Sequence, residues 1–163
     1  MKISALIDYA ATPHEVFAML ADEDFQNHKC AATGAHRYTV SITERDGRTI
    51  ILSIRDMPSD GFPSFVKSMV GDTLAVTETQ DWGPPNTDGA RHGRLTVEIA
   101  AAPVALHGTL SLAAGGQGCV ESINGELRAK IPLIGSKVER AAAPAVQSAI
   151  RVESENGKAW LQR

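Results

Sequence analysis

Between about Leu133 and Leu161, a mostly small or apolar row recurs at three- and four-residue spacing: Ile134, Val138, Ala141, Ala145, Ala149, Val152 and then the polar Asn156, with Leu161 near the end. Glu139, Arg140, Gln147, Arg151 and Glu155 fall mostly on the opposite side, which is the pattern of one amphipathic helix. At about 1.5 Å per residue this helix would be roughly 40 Å long. Pro144 should kink it, because proline lacks an amide donor and clashes with the preceding turn. A helix of that length has to bury its stripe against a second layer. The rest of the chain must therefore supply a broad apolar surface.

That surface reads as β-sheet. Ile3 to Tyr9 is a run of strand formers with Ile3, Ala5, Ile7 and Tyr9 on one face. Thr12-Pro13-His14-Glu15 then starts a helix: Thr12 can cap, Pro13 suits the first position and Glu15 completes a capping box. Val16, Phe17, Met19 and Leu20 form its apolar side, and Asp22 can cap a second short helix running to about Cys30 before Gly34. From His36 the period becomes two, with Tyr38, Val40 and Ile42 on one face. Asp46-Gly47 is a hairpin turn, after which Ile50, Leu52 and Ile54 are expected to continue the buried face. Further strands read as Thr73 to Trp82, Arg94 to Ile99, Val104 to Leu112 and Cys119 to Ile131, separated by Gly- and Pro-rich turns. The expected product is one α+β domain over residues 1–163. It has a seven-stranded, curved antiparallel sheet, two short helices after the first strand, and the long terminal helix across the concave side.

Composition narrows the function classes. A net charge of −3 with scattered Lys and Arg argues against nucleic acid as a partner. Cys30 and Cys119 are too few for a disulfide framework or zinc ribbon and read as reduced, partly buried thiols. His14, His28, His36, His92 and His107 show no metal-ligand spacing, so neither a metal nor a cofactor is expected. Met1 to Asp8 does not read as a signal peptide. No apolar run approaches the ~20 residues that cross a bilayer, so a cytoplasmic chain without stable membrane insertion is expected.

The inner face of the terminal helix is built from small residues, Gly135, Ala141, Ala142, Ala145 and Ala149. Small residues signal either close approach of helix to sheet or open space. A straight helix cannot follow a cupped sheet along its whole length, which favours space. The expected lining is Tyr38, Val40, Leu52, Ile54, Phe62, Phe65, Met69, Val76, Glu78, Gln80, Trp82, Val97, Leu106, Leu110, Leu127, Val138, Ala142 and Ala145. Glu78 and Gln80 share strand parity with Leu74, Val76 and Trp82, so a carboxyl and an amide would enter apolar surroundings, unless Glu78 lies at a wet rim. Desolvated, Glu78 would titrate high and could act as acid or base; no other catalytic candidate is legible. The apolar stretch from Met57 to Val70, with Phe62, Phe65, Val66 and Met69, reads as a lid over the cavity or a cap on the core.

Two segments carry a resemblance. Ala11-Thr12-Pro13-His14-Glu15-Val16-Phe17-Ala18-Met19-Leu20 and Ile131-Pro132-Leu133-Ile134-Gly135-Ser136-Lys137-Val138-Glu139 resemble the strand-to-helix passage and the start of the final helix in the START-like, or helix-grip, superfamily. This superfamily, also called SRPBCC, includes Bet v-like pathogenesis-related proteins, polyketide cyclases and lipid-transfer domains. The chain looks most like a bacterial branch of unknown function that carries such an "IPLIG" segment. The resemblance implies the helix-grip fold over nearly the whole chain, and the fold alone does not imply one activity. The leading expectation is binding or transport of a small hydrophobic molecule, such as a lipid, polyketide or isoprenoid. A cyclase, aromatase or hydratase using Glu78 as acid/base and Gln80 to orient substrate comes second. A regulatory module binding a protein through Phe62–Val70 comes third, and the residues name no protein partner.

Overall fold

The computed structural model describes residues 1–163. β1 (Lys2–Tyr9) leads to α1 (Pro13–Leu20) and α2 (Glu23–Ala32). There follow β2 (Arg37–Arg45), β3 (Arg48–Pro58), α3 (Ser64–Val70), β4 (Thr73–Trp82), β5 (Arg91–Ile99), β6 (Val104–Gly115), β7 (Gly118–Ala129) and α4 (Gly135–Leu161). The strands form one antiparallel, curved sheet in the order β1-β7-β6-β5-β4-β3-β2. β2 to β7 are therefore a meander, and β1 closes beside the last strand. Because β1 and β2 end up on opposite edges, α1 and α2 must carry the chain across the sheet's width. They do so on the concave side, where both also meet α4.

Local chemistry accounts for these elements. The Glu15 amide donates to Thr12 Oγ at 3.2 Å while Glu15 Oε2 accepts from the Thr12 amide at 2.8 Å, a reciprocal capping box that starts α1. Asp22 Oδ1 accepts from the amides of Asp24 and Phe25 and starts α2. α4 begins at Gly135, two residues later than the expected Leu133. Leu133 itself sits at φ 69°, outside helical space, with its side chain fully exposed. Pro144 lies inside α4 without ending it. The Met57 to Val70 stretch, read as a lid or a cap, contains α3, whose Val66 is buried while Phe65 and Met69 pack on the core. No helix is long and apolar enough to cross a membrane.

One face assignment is corrected. Asp46 and Gly47 take φ 52° and 77°, the conformation of a two-residue hairpin turn. This turn pairs Arg45 with Arg48, hence Ile42 with Ile51, Val40 with Ser53 and Tyr38 with Arg55. Directly paired residues share a face, so the concave side of β3 carries Thr49, Ile51, Ser53 and Arg55. Ile50, Leu52 and Ile54 point to the convex side instead, and Ile54 is 41% exposed.

Candidate functional site

Between the inner face of β4–β7 and α4 lies a cavity of about 930 Å³. Leu74, Val76, Leu95, Val97, Ile99, Leu106, Leu110, Ile123 and Leu127 form its walls, and Ala141, Ala142, Ala145, Ala149 and Val152 its roof. Alanine side chains stop at Cβ, so the roof does not reach down to the leucines and valines opposite. Gly61, Phe62 and Pro63 on one side, and Arg140, Pro144 and Arg151 on the other, also belong to the lining. All of these except Phe62 are exposed, which marks the opening.

Among the expected residues, Phe62, Val76, Glu78, Gln80, Val97, Leu106, Leu110, Leu127, Ala142 and Ala145 line this cavity. Met69 and Val138 line a small adjoining recess that shares Phe62 and Ala142. Six others do not line it. Tyr38 and Val40 lie on the inner face of edge strand β2, but α2 packs there and separates them from the hollow. Leu52 and Ile54 point outward for the register reason given above. Phe65 turns into the core, with the Lys137 ammonium 4.4 Å from its ring centroid. Trp82 is wholly buried, edge-on to Phe17 with ring centroids 6.0 Å apart. Its strand carries it past the cavity into the packed end of the core.

A chain of buried polar groups crosses one end of the cavity. Lys29 Nζ donates to Glu153 Oε2 at 2.7 Å and to Glu78 Oε1 at 3.2 Å. Arg55 donates to Glu78 Oε2 at 2.9 Å. Trp82 Nε1 donates to Gln80 Oε1, and Gln80 Nε2 donates to Glu78 Oε1 at 3.0 Å. Tyr9 OH lies 3.4 Å from Glu121 Oε2. Lys29, Arg55, Glu121 and Glu153 are each more than nine-tenths buried.

The electrostatics reverse what was expected of Glu78. Burial pushes its carboxyl up, but Lys29 and then Arg55 outweigh burial and hold it down to about 2. Glu78 is thus a fixed carboxylate between two cations rather than a proton donor, and Gln80 is occupied by Glu78 and Trp82. Lys29 is penalised by burial, but Glu153 and Glu78 more than offset this and raise its affinity for its proton. Glu121 behaves differently: burial first, and the neighbouring Glu153 second, push its carboxyl well above the usual carboxylate range. Oε1 of Glu121, Oε1 of Glu153 and Nε of Arg55 have no hydrogen-bond partner.

Lys29, Arg55, Glu121 and Glu153 also line the cavity and lie outside the expected lining, although each leaves a trace in the sequence. Lys29 lies one helical turn after Phe25, on the apolar side of α2. Glu121 shares strand parity with Cys119 and Ile123. Glu153 continues the Ala145–Ala149 row of α4. Arg55 follows from the hairpin turn by pairing with Tyr38.

Comparison with known proteins agrees with this architecture. An uncharacterized protein of Mycobacterium tuberculosis, Rv0481c, is 24% identical over 94% of this chain and 92% of its own length. A START superfamily protein from Mycobacterium smegmatis superposes with a TM-score of 0.58 at 11% identity, covering 98% of each chain. The di-domain ARO/CYC StfQ from the steffimycin biosynthetic pathway gives a TM-score of 0.62 at 10% identity, over 97% of this chain and 50% of that one. These structural likenesses establish the START-like, helix-grip fold. The family model described as "Protein of unknown function (DUF2505)" matches residues 4–161, and the chain belongs to that family.

Proposed function

We propose that this protein binds and carries a small hydrophobic molecule in the cavity beneath α4. The observation that carries the reading is a hollow of about 930 Å³ whose lining is mostly hydrophobic, a size and character suited to enclosing a lipid-like or polyketide-like molecule. Val97 and Ile99 face inward and line the hollow, yet remain only half-buried. Apolar surface left open in this way gains about 25 cal/mol per Å² when a ligand removes it from water.

Native mass spectrometry of freshly purified protein should reveal a co-purifying small molecule. After delipidation the protein should take up a neutral hydrophobic dye, N-phenyl-1-naphthylamine, and a bound ligand should raise its melting temperature. Ala142→Phe, which plugs the hollow from the roof, should abolish uptake while leaving a cooperative thermal transition. Delipidated wild-type protein that takes up no dye would refute the reading.

A further inference from the structure

The charged residues of the cavity lining fall into two groups. Lys29, Arg55, Glu78, Glu121 and Glu153 belong to the buried cluster, whose two cations are already held by carboxylates. Its unpartnered polar atoms have no surface that a ligand could reach. A charged head group pushed that far would also have to give up its water. The buried end therefore has no free charge with which to receive a head group. The second group is Arg140 and Arg151, both exposed at the opening, and no exposed acidic residue joins them in the lining.

The charges around the mouth do not balance. Asp60 is taken by Lys67 at 3.3 Å, and Glu155 lies 3.6 Å from Arg151. Glu139 is held by the terminal ammonium of Met1 and by the Ala129 amide. Arg140 is left without an ion pair. So is Lys137 one turn before it, whose ammonium lies 4.4 Å from the Phe65 ring centroid instead. Both stand in the first two turns of α4, where positive charge opposes the helix dipole, and the first turn contains no acidic residue. Like charges at this spacing also repel each other. Two uncompensated cations thus stand beside an apolar hollow, on a chain whose net charge is −3. A carboxylate or phosphate at that point offsets both, and Arg140 can hold it through two parallel hydrogen bonds. A hydroxyl gains nothing from this charge, and an ammonium is repelled by it.

We propose that the occupant of the cavity is an anionic amphiphile, with its hydrocarbon body under the alanine roof and its carboxylate or phosphate head in the mouth on Arg140, beside Lys137. This rests on the carrier reading above and names the ligand class for it.

The test uses four probes with the same twelve-carbon chain: dodecanoate, dodecyl phosphate, 1-dodecanol and dodecyltrimethylammonium. Each competes with N-phenyl-1-naphthylamine for the delipidated protein at pH 7 and low salt. The anions should displace the dye at concentrations about fivefold lower than the alcohol, the upper worth of one exposed charge pair, and the cation should be weakest. Added salt should narrow the gap by screening. Adsorption to the chain at large would favour the cation instead, because the whole protein is negative. In the double variant Lys137→Gln, Arg140→Gln the anions should lose their advantage while the alcohol displaces as before. Should that variant not fold, Arg140→Glu decides, and there the anions should fall to the level of the alcohol or below it. A preference for one anion over the other supports the proposal and tells carboxylate from phosphate. Equal displacement by all four, preference for the alcohol or the cation, or an anion preference that survives in either variant would each overturn it. Dye uptake without charge preference refutes this inference alone, whereas absence of dye uptake refutes the carrier reading beneath it.

Discussion

Near its C-terminal end α4 presses Gly157 against Tyr9, so closely that a Cβ there would lie 2.9 Å from the ring and 3.0 Å from the Met19 methyl. Earlier in the same helix, Ala141, Ala142, Ala145 and Ala149 face Leu106 and Leu127 across open space. The same class of residue thus does opposite things on one helix face. What stands opposite makes the difference. At the packed end aromatic rings fill the gap: Phe25 meets Trp160 edge-on with centroids 5.5 Å apart, and Phe17 meets Trp82 in the same manner. At the hollow end the sheet offers aliphatic side chains that do not reach the helix. A small residue on a helix stripe therefore carries no fixed meaning until the depth of the opposing surface is known.

The contrast can be tested by removing atoms from each end. Phe25→Ala should cost about 3–5 kcal/mol in urea denaturation, as expected for a fully packed ring. Val97→Ala should cost less than ~1 kcal/mol, because Val97 already borders a void and its loss opens little new cavity. Equal costs would mean that the hollow is filled.

The ion cluster between the two ends should give the next largest effect, through pH. Glu78 is held to about 2 against an ordinary 4.5, so in that interval the unfolded chain binds a proton that the folded chain does not. The stabilisation is complete above about pH 4.5 and is lost as pH falls toward 2, amounting to roughly 3 kcal/mol. The stability difference between wild type and Glu78→Gln should accordingly close on acidification. Glu121 acts with the opposite sign, since its raised carboxyl makes folding less favourable as pH rises above the ordinary value.

Adding atoms sharpens the comparison at a smaller scale. Gly157→Ala should destabilise by about 1–3 kcal/mol, since its methyl meets the Tyr9 ring and Met19. Ala149→Leu, which points three more carbons into the hollow, should be neutral or stabilising by up to about 1 kcal/mol. Thermal melts of the two variants side by side would show the sign difference directly.

Much of the fold was legible because its signals are local. The stripe of α4, the Thr12–Glu15 capping box and the Asp46-Gly47 turn each occupy a few consecutive residues. The face of β3 was misread because Ile50, Ile51, Leu52 and Ile54 make both parities apolar, and weight of numbers favoured the wrong one. The turn already held the answer, since a two-residue loop fixes the pairing and so the face of every residue after it. The apolar lining followed from strand parity on β4 to β7. The ion cluster did not, because Lys29 lies 49 residues from Glu78 and 124 from Glu153, and no spacing rule spans such separations. Read singly, each of those charges passes for a solvated side chain; their desolvation exists only in three dimensions.

Pro144 lacks a backbone donor, and it sits where α4 forms the roof of the cavity. The helix is therefore a beam missing one rung above the void and anchored beyond it, where Gly157 lies on Tyr9. Its compliance falls on the stretch that contents of different girth would push against, and the anchorage stays outside that stretch. On the carrier reading proposed above, differences in ligand bulk would be taken up by flexure of this stretch of roof, with the strand register unchanged.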